Sequence, residues 1–363
     1  MNHSALVEFR RAGRGKGVLF VHTVSADPER WRKYSCMMAQ DVRLADWDMW
    51  SFGFPTQYAG NVPSIQTLAD LLYSRTQLPP LSDCKELVLI AHSMGGLVVQ
   101  RALVDHGDLV SKVTHVFQFA TPNWGLASEW LSSWNPFLSQ QLLDMKVDSL
   151  FLRNLRAQWE AKFDQLLMIK MLDAVALTDQ YHPDPRLIPH AVRRTLPGDH
   201  FSIIDADSPE HPSVTIVTQE LLKADQEGHS LIFISHSHVD HDLVQRFADA
   251  FNARWPSSVW WTPEIPPGAE WEERIKAELR SCTCVTVLWS QASVQSDWVK
   301  AEARDAKWRG KLVPIRIGDV PLAEEFQDIQ TLDMIGWSGD TGDVRFQRLE
   351  RAIAAFADEH KKA

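Results

Sequence analysis

Two stretches of the chain carry side chains whose types and spacing suit chemistry. In Leu89-Ile-Ala-His-Ser93-Met-Gly95-Gly96-Leu-Val-Val a serine stands among small residues, after one apolar run and before another. A serine on a sharp strand-to-helix turn is held in strained geometry, which needs small neighbours, and its hydroxyl projects above the sheet beside the helix N-terminus. That is the placement of a nucleophile. Ala91 and Gly95 supply the small positions on either side. The second stretch, His236-Ser-His238-Val-Asp240-His241, has the H-x-H-x-D-H spacing of a metal-ligand cluster directly after an apolar run. A two-metal site needs further histidines and carboxylates from downstream, and the only later histidine is His360. The stretch therefore reads as a solvated polar loop, and no metal is expected.

Both stretches need elements to position them, and strand-like runs alternate with helical patterns twice. Gly17–His22, Glu86–Ala91, Val113–Phe119 and Leu166–Leu172 are short apolar runs bounded by turn residues, the pattern of buried parallel strands. Val214–Lys223 has the apolar spacing of a closing helix, and the short polar stretch Ala224–His229 marks a boundary. A second series follows at Leu231–Ile234, Val259–Trp261, Val285–Trp289 and Leu312–Ile317. The organisation expected is one α/β domain over 1–225 and another over 229–363.

Length and composition agree with that division. A chain of 363 residues exceeds the roughly 250–300 at which one hydrophobic core stops growing. Hydrophobic residues make up 45% and charged residues 23%, which excludes a disordered or fibrous chain. No window approaches the roughly 20 apolar residues of a membrane span, and Met1–Gly13 lacks the apolar core of a signal peptide, so a cytoplasmic location and no transmembrane segment are expected. Cys36, Cys84, Cys282 and Cys284 are too few for a disulfide framework and read as buried thiols. A net charge of −10 gives no general attraction for phosphate backbones, so no nucleic-acid partner is expected.

The elbow around Ser93, with Leu19-Phe-Val-His22 and Ala120-Thr-Pro-Asn-Trp-Gly125, resembles the α/β-hydrolases, in their lipase-like and acyltransferase-like branches, over roughly residues 15–205. The resemblance implies a doubly wound sheet and a triad in the chain order Ser, acid, His. His200, in Leu196-Pro-Gly-Asp-His200-Phe-Ser, takes the place of the base. Asp173 and Asp179 are both candidates for the acid, and Asp173 is preferred because it directly follows the Leu166–Leu172 run. Val24 and Met94 stand where the oxyanion amides belong, although Thr23 replaces the glycine that often follows the loop histidine. Such a site would attack an ester carbonyl, so a lipid or other ester is a candidate ligand.

From Phe233-Ile-Ser-His-Ser237, through Val259-Trp-Trp261, Glu264-Ile-Pro-Pro-Gly268-Ala-Glu-Trp271 and Val285–Ser290, to Ser296-Asp-Trp298-Val-Lys-Ala-Glu302, the chain resembles a TIR domain, over about residues 229–357. This implies a flavodoxin-like fold with a parallel sheet. Enzymatic TIR domains cleave the nicotinamide–ribose bond of NAD+ with a glutamate a few residues after a tryptophan, the place of Glu302 after Trp298. Cleavage generates an oxocarbenium-like ribose, which a nearby carboxylate stabilises. Ser235, His236, Ser237, Gly268, Ser290 and Trp298 are the implied pocket residues, with NAD+ as substrate and no cofactor. Trp260, Trp261 and Trp289 read as packing residues. The Pro263–Trp271 loop corresponds to one that packs on a neighbouring TIR domain, so a homo-oligomer is implied.

The two resemblances together imply a bacterial NAD+ glycohydrolase regulated by, or coupled to, the hydrolase-like domain, akin to antiphage defence proteins. In one alternative the hydrolase is the effector and the TIR domain controls assembly. In the other, both domains are non-catalytic scaffolds.

Overall fold

The computed structural model describes residues 6–360 apart from 25, 57–61, 127–138, 163–165, 167–168, 182–185, 187, 190, 227–230, 257 and 262–270. The chain divides into two compact units, Met1–Leu222 and Lys223–Ala363. The division falls inside the Pro212–Gln226 helix, just ahead of the polar stretch expected to mark it. Among the described residues, no helix is long and apolar enough to cross a membrane.

The first unit is built on one sheet, formed by β1 (Leu6–Arg10), β2 (Lys16–Val21), β3 (Trp47–Phe52), β4 (Glu86–His92), β5 (Val113–Phe119), β6 (Lys170–Ala176) and β7 (Ala191–Leu196), in the order β1-β3-β2-β4-β5-β6-β7. All neighbours run parallel except β1, which pairs antiparallel with β3 at one edge. Side chains of a strand alternate between faces, and both faces here are covered. Leu19, Val21, Leu87 and Leu89 pack one way, among Leu68, Leu72, Leu97 and Val98 of the Ile65–Thr76 and Met94–Asp105 helices. Val18, Phe20, Val88 and Ile90 pack the other way, against Trp31, Tyr34, Met38 and the Val214, Val217 and Leu221 face of the closing helix.

The fourth expected strand is displaced. The apolar run Leu166–Leu172 does not coincide with a strand; β6 is Lys170–Ala176, with Asp173 at its centre. The charge is tolerated there because Arg193 Nη2 on β7 donates to it at 3.0 Å and Asn123 Nδ2 at 3.1 Å. A buried charge with such partners need not end a strand. β1, β3 and β7 are not apolar runs in the sequence, the first and last being edge strands of mixed exposure, and β3 carrying the buried Asp48.

The second unit holds β8 (Ile232–Ser235), β9 (Val259–Trp261), β10 (Cys284–Trp289), β11 (Leu312–Arg316) and β12 (Leu332–Asp333), all parallel, in the order β12-β11-β10-β8-β9. Its core joins Ile232, Ile234, Leu288 and Ile315 to the Phe247–Phe251 helix face, where Trp337 stacks between Phe247 (centroids 4.3 Å apart) and Phe346 (5.1 Å).

The helix after β4 approaches β2 very closely. A Cβ at Gly95 would stand 2.6 Å from the carbonyl oxygens of both Val21 and His22, backbone atoms that cannot swing aside. Gly95→Ala should therefore lower stability by about 1–3 kcal/mol, the usual cost of overpacking. Thermal unfolding followed by circular dichroism would show it, and an unchanged transition would mean that the contact carries no strain.

Candidate functional sites

Ser93 lies between the end of β4 and the first residue of the Met94–Asp105 helix, at φ 52° and ψ −123°. A non-glycine residue there costs on the order of 1–3 kcal/mol and persists only where its surroundings over-determine it. They do so here. Ser93 N–H donates to the Phe119 carbonyl on β5 at 2.8 Å, and Gly96 N–H donates back to the Ser93 carbonyl at 3.0 Å.

The strained turn brings the serine to its partners. Ser93 Oγ is 3.0 Å from His200 Nε2, and His200 Nδ1 is 3.0 Å from Asp179 Oδ2. Ser93 is 7% exposed, His200 6% and the Asp179 side chain 1%. A carboxylate only accepts, so the imidazole presents Nδ1–H to Asp179 and its Nε2 lone pair to the serine hydroxyl. Tyr181 N–H donates to the other Asp179 oxygen at 2.9 Å, fixing the carboxylate. The expected acid, Asp173, is corrected: it is held by Arg193 and Asn123 inside β6, whereas Asp179 follows that strand's true end at Ala176.

Two further histidines brace the site in single neutral forms. His92 Nε2–H donates to the His200 carbonyl at 2.7 Å, and burial pushes its pKa down to about 3. His22, pushed down to about 4 by burial, donates from Nδ1 to the Thr23 carbonyl at 2.9 Å and accepts from Phe54 N–H at Nε2. Neither was singled out for the site by the sequence, although His92 adjoins the serine. Met94 heads its helix, where an N–H has no intrahelical acceptor, and shares the core with Val24. The rings of Tyr181 and Phe201 stand 4.6 and 5.1 Å from that of His200.

In the second unit Glu302 is 3% exposed on the Asp297–Trp308 helix. One turn earlier, Trp298 Nε1–H donates to its Oε1 at 2.7 Å, and Ser235 Oγ, at the end of β8, donates to Oε2 at 2.5 Å. Burial raises the carboxyl to about 7, against the opposing pull of these two hydrogen bonds. Of the expected pocket residues, Ser235 and Trp298 thus meet at Glu302. Ser290, following β10, instead ties two loops together: it donates to Asp240 Oδ2 at 2.6 Å and accepts from Ser293 N–H at 3.1 Å. His236 is half-buried, donating Nδ1–H to the Ile234 carbonyl, and Ser237 is buried at the start of the His238–Asp240 turn. Gly268, with residues 263–270 of the loop expected to meet a neighbouring domain, lies outside the described residues. Trp260 stacks on Phe233 and Trp289 packs on Phe326, as packing residues do. The sequence did not disclose Asp240 as Ser290's partner; its signal was the acidic position in the cluster weighed for metal.

Two family models match the chain. A family described as "Alpha/beta hydrolase family" matches residues 18–254, and one described as "TIR domain" matches residues 232–349. Their overlap belongs to the second unit, since β8 pairs with β9 and β10. No curated protein matches the chain. Among solved structures, the lipase BlEst2 of Bacillus licheniformis is 17% identical, with 60% of this chain and 98% of that one covered at a TM-score of 0.48. A lipase-esterase related protein of Clostridium acetobutylicum is 12% identical over 61% of this chain and 99% of that one, at 0.37. A monoacylglycerol lipase of Paleococcus ferrophilus is 13% identical over 61% and 97%, at 0.39.

The buried carboxyl of Glu302 makes stability depend on pH. In the unfolded chain it ionises near its ordinary value of 4.5, so between there and about 7 the folded chain holds a proton that the unfolded chain has released. Its favourable contribution is therefore full below the lower value and lost as pH rises to the upper. Relative to Glu302→Gln, the wild type should lose stability across this window in chemical denaturation series, and a difference that stays constant with pH would contradict the raised value.

Proposed function

We propose, for a chain that belongs to the alpha/beta hydrolase family and carries a TIR domain, that its first unit hydrolyses carboxylic esters through Ser93, His200 and Asp179. The observation that carries this reading is the continuous relay of 3.0 Å contacts from the Ser93 hydroxyl through His200 to Asp179. Ser93 Oγ attacks the ester carbonyl while His200 Nε2 takes the hydroxyl proton. Asp179 holds the imidazole in the required tautomer and stabilises the imidazolium that forms. The negative charge that develops on the carbonyl oxygen falls near the Met94 N–H, at the positive end of its helix. His200 then protonates the leaving alcohol, draws a proton from water to release the acid, and returns it to Ser93.

The test uses short-chain p-nitrophenyl esters and a fluorophosphonate probe. Wild type should turn over the esters and be labelled, and Ser93→Ala should do neither. Asp179→Asn should lower kcat by about 10⁴-fold, as loss of the tautomer-fixing acid does. Asp173→Asn should leave kcat within a few-fold in the protein that folds. Folded wild type that neither reacts with the probe nor hydrolyses esters would reject the reading.

A second reading is favoured by one observation, the pairing of Glu302 with Ser235 and Trp298. Two neutral donors aim a carboxylate and favour its anion, the form that stabilises an oxocarbenium ribose. On this reading the TIR domain converts NAD+ and water into nicotinamide, ADP-ribose and a proton, in an assembly formed through the loop around Gly268 and in the service of antiphage defence. Glu302→Gln should then reduce nicotinamide release from NAD+ by about 10²–10³. A variant keeping more than half of the wild-type rate by chromatographic assay would remove Glu302 from the chemistry.

A further inference from the structure

The residue before the nucleophile makes a contact that reaches across to the base. His92 ends β4, and by alternation along the strand its side chain lies on the sheet face of Val88 and Ile90, which packs against the closing helix. The residue is buried there. A carbonyl only accepts, so the 2.7 Å contact between His92 Nε2 and the His200 oxygen assigns the His92 proton to Nε2. The donor is a neutral imidazole. Burial, and then the neighbouring His200, push the His92 pKa down to about 3, so the ring adds no positive charge 5.1 Å from a base that must itself take up a proton.

This hydrogen bond closes a ring through both reacting residues. From Ser93 Oγ the path runs along the backbone to His92, out through its imidazole to the His200 carbonyl, and along the His200 side chain to Nε2, which stands 3.0 Å from the same Oγ. Apart from the two hydrogen bonds, every step of that path is covalent. The serine side of the ring is rigid, because His92 pairs with Phe119 in the sheet and Ser93 N–H donates to the Phe119 carbonyl at 2.8 Å. The base side is a loop. It leaves β7 at Leu196, turns on Asp199, whose carboxylate accepts from the Phe201 and Ser202 amides, and meets the end of β6 where Thr178 N–H donates to the Gly198 carbonyl. His92 ties the backbone of residue 200 itself to the strand that carries the serine.

We propose that His92 is a positioning residue for the ester hydrolysis read above, on which this inference rests: its Nε2–H holds the His200 backbone at the distance from which the His200 imidazole reaches the Ser93 hydroxyl. Buried at the end of its strand, His92 acts through His200 and not on the substrate. A displacement of about 1 Å in a reacting group costs about 10²-fold in rate, and a loop held only at its flanks has that freedom.

Steady-state kinetics on p-nitrophenyl esters, beside long-range proton–nitrogen NMR spectra of the full chain labelled with nitrogen-15 histidine, test this. The wild-type spectrum should show His92, assigned by the signals lost in His92→Gln, as the neutral Nε2–H tautomer at pH 7. His92→Phe fills the ring's space without a donor, and should lower kcat by about 10–100-fold with KM changed less than about twofold. His92→Gln, whose amide extends to the place of Nε2, should restore kcat to within about fivefold of wild type. If His92→Phe does not fold, His92→Asn, whose amide stops short of the His200 carbonyl, gives the same contrast with His92→Gln. His92 found charged or as the Nδ1–H tautomer, a folded His92→Phe or His92→Asn with wild-type kcat, or a folded His92→Gln as slow as His92→Phe would overturn the proposal. Wild type that hydrolyses no ester would instead reject the ester reading, and the His92 tautomer would still show whether the hydrogen bond forms.

Discussion

The geometry of the first unit depends on one strained residue. Ser93 holds φ 52° because its amide is tied to the Phe119 carbonyl, and because β4 is paired along its length with β2 on one side and β5 on the other. A serine in a relaxed extended conformation would prolong the strand and point into the sheet's packing. In the strained one the chain reverses into a helix and the hydroxyl meets His200. The penalty of about 1–3 kcal/mol is small beside the apolar burial that fixes the sheet, where a single buried Leu or Phe contributes about 1.5–3 kcal/mol. Gly95 and the adjacent Gly96 are what let the helix start so close to β2 and Thr121.

Local patterns placed Ser93 on its strand-to-helix turn but did not find the carboxylate that meets His200, for a physical reason. The turn around Ser93 is specified by its neighbours in sequence, so an apolar run, small residues and a second apolar run are enough to expose it. Asp173 looked like the residue that ends a strand because it is the first acidic residue after an apolar run. Its compensating partners, Arg193 and Asn123, come from elsewhere in the chain, so no window around residue 173 reveals them. Moving the strand to Lys170–Ala176 carries the acid position on to Asp179. Glu302 was accessible only through resemblance, since its helix spacing alone is that of an ordinary surface glutamate. Its burial is a property of the β8 and helix packing, which sequence does not display.

Three buried carboxylates in the chain show how surroundings assign roles. Asp173 accepts from the Arg193 guanidinium at 3.0 Å and from Asn123 at 3.1 Å inside β6, a structural pairing. Asp179 instead accepts from the His200 imidazole, whose other nitrogen meets the Ser93 hydroxyl. Glu302 receives two neutral donors and, among the described residues, no cation in direct contact, which leaves desolvation dominant and the carboxyl near the midpoint of its titration at neutral pH.

Each unit also places its candidate chemistry at the same end of its parallel strands. Ser93 follows β4, Asp179 lies beyond β6 and His200 beyond β7; in the second unit Ser235 ends β8 and Ser290 follows β10. In an open parallel sheet the inner strands are rigid, buried and bonded on both sides, while the loops leaving the strands' carboxyl ends are fixed only at their roots. Side chains anchored there can be positioned closely by the sheet and still vary in identity without disturbing the core. That separation accounts for a strained serine with an imidazole in one unit and a desolvated carboxylate with a serine and an indole in the other. The two sheets are built by the same rule, and what distinguishes their chemistry is the handful of residues at the strand ends.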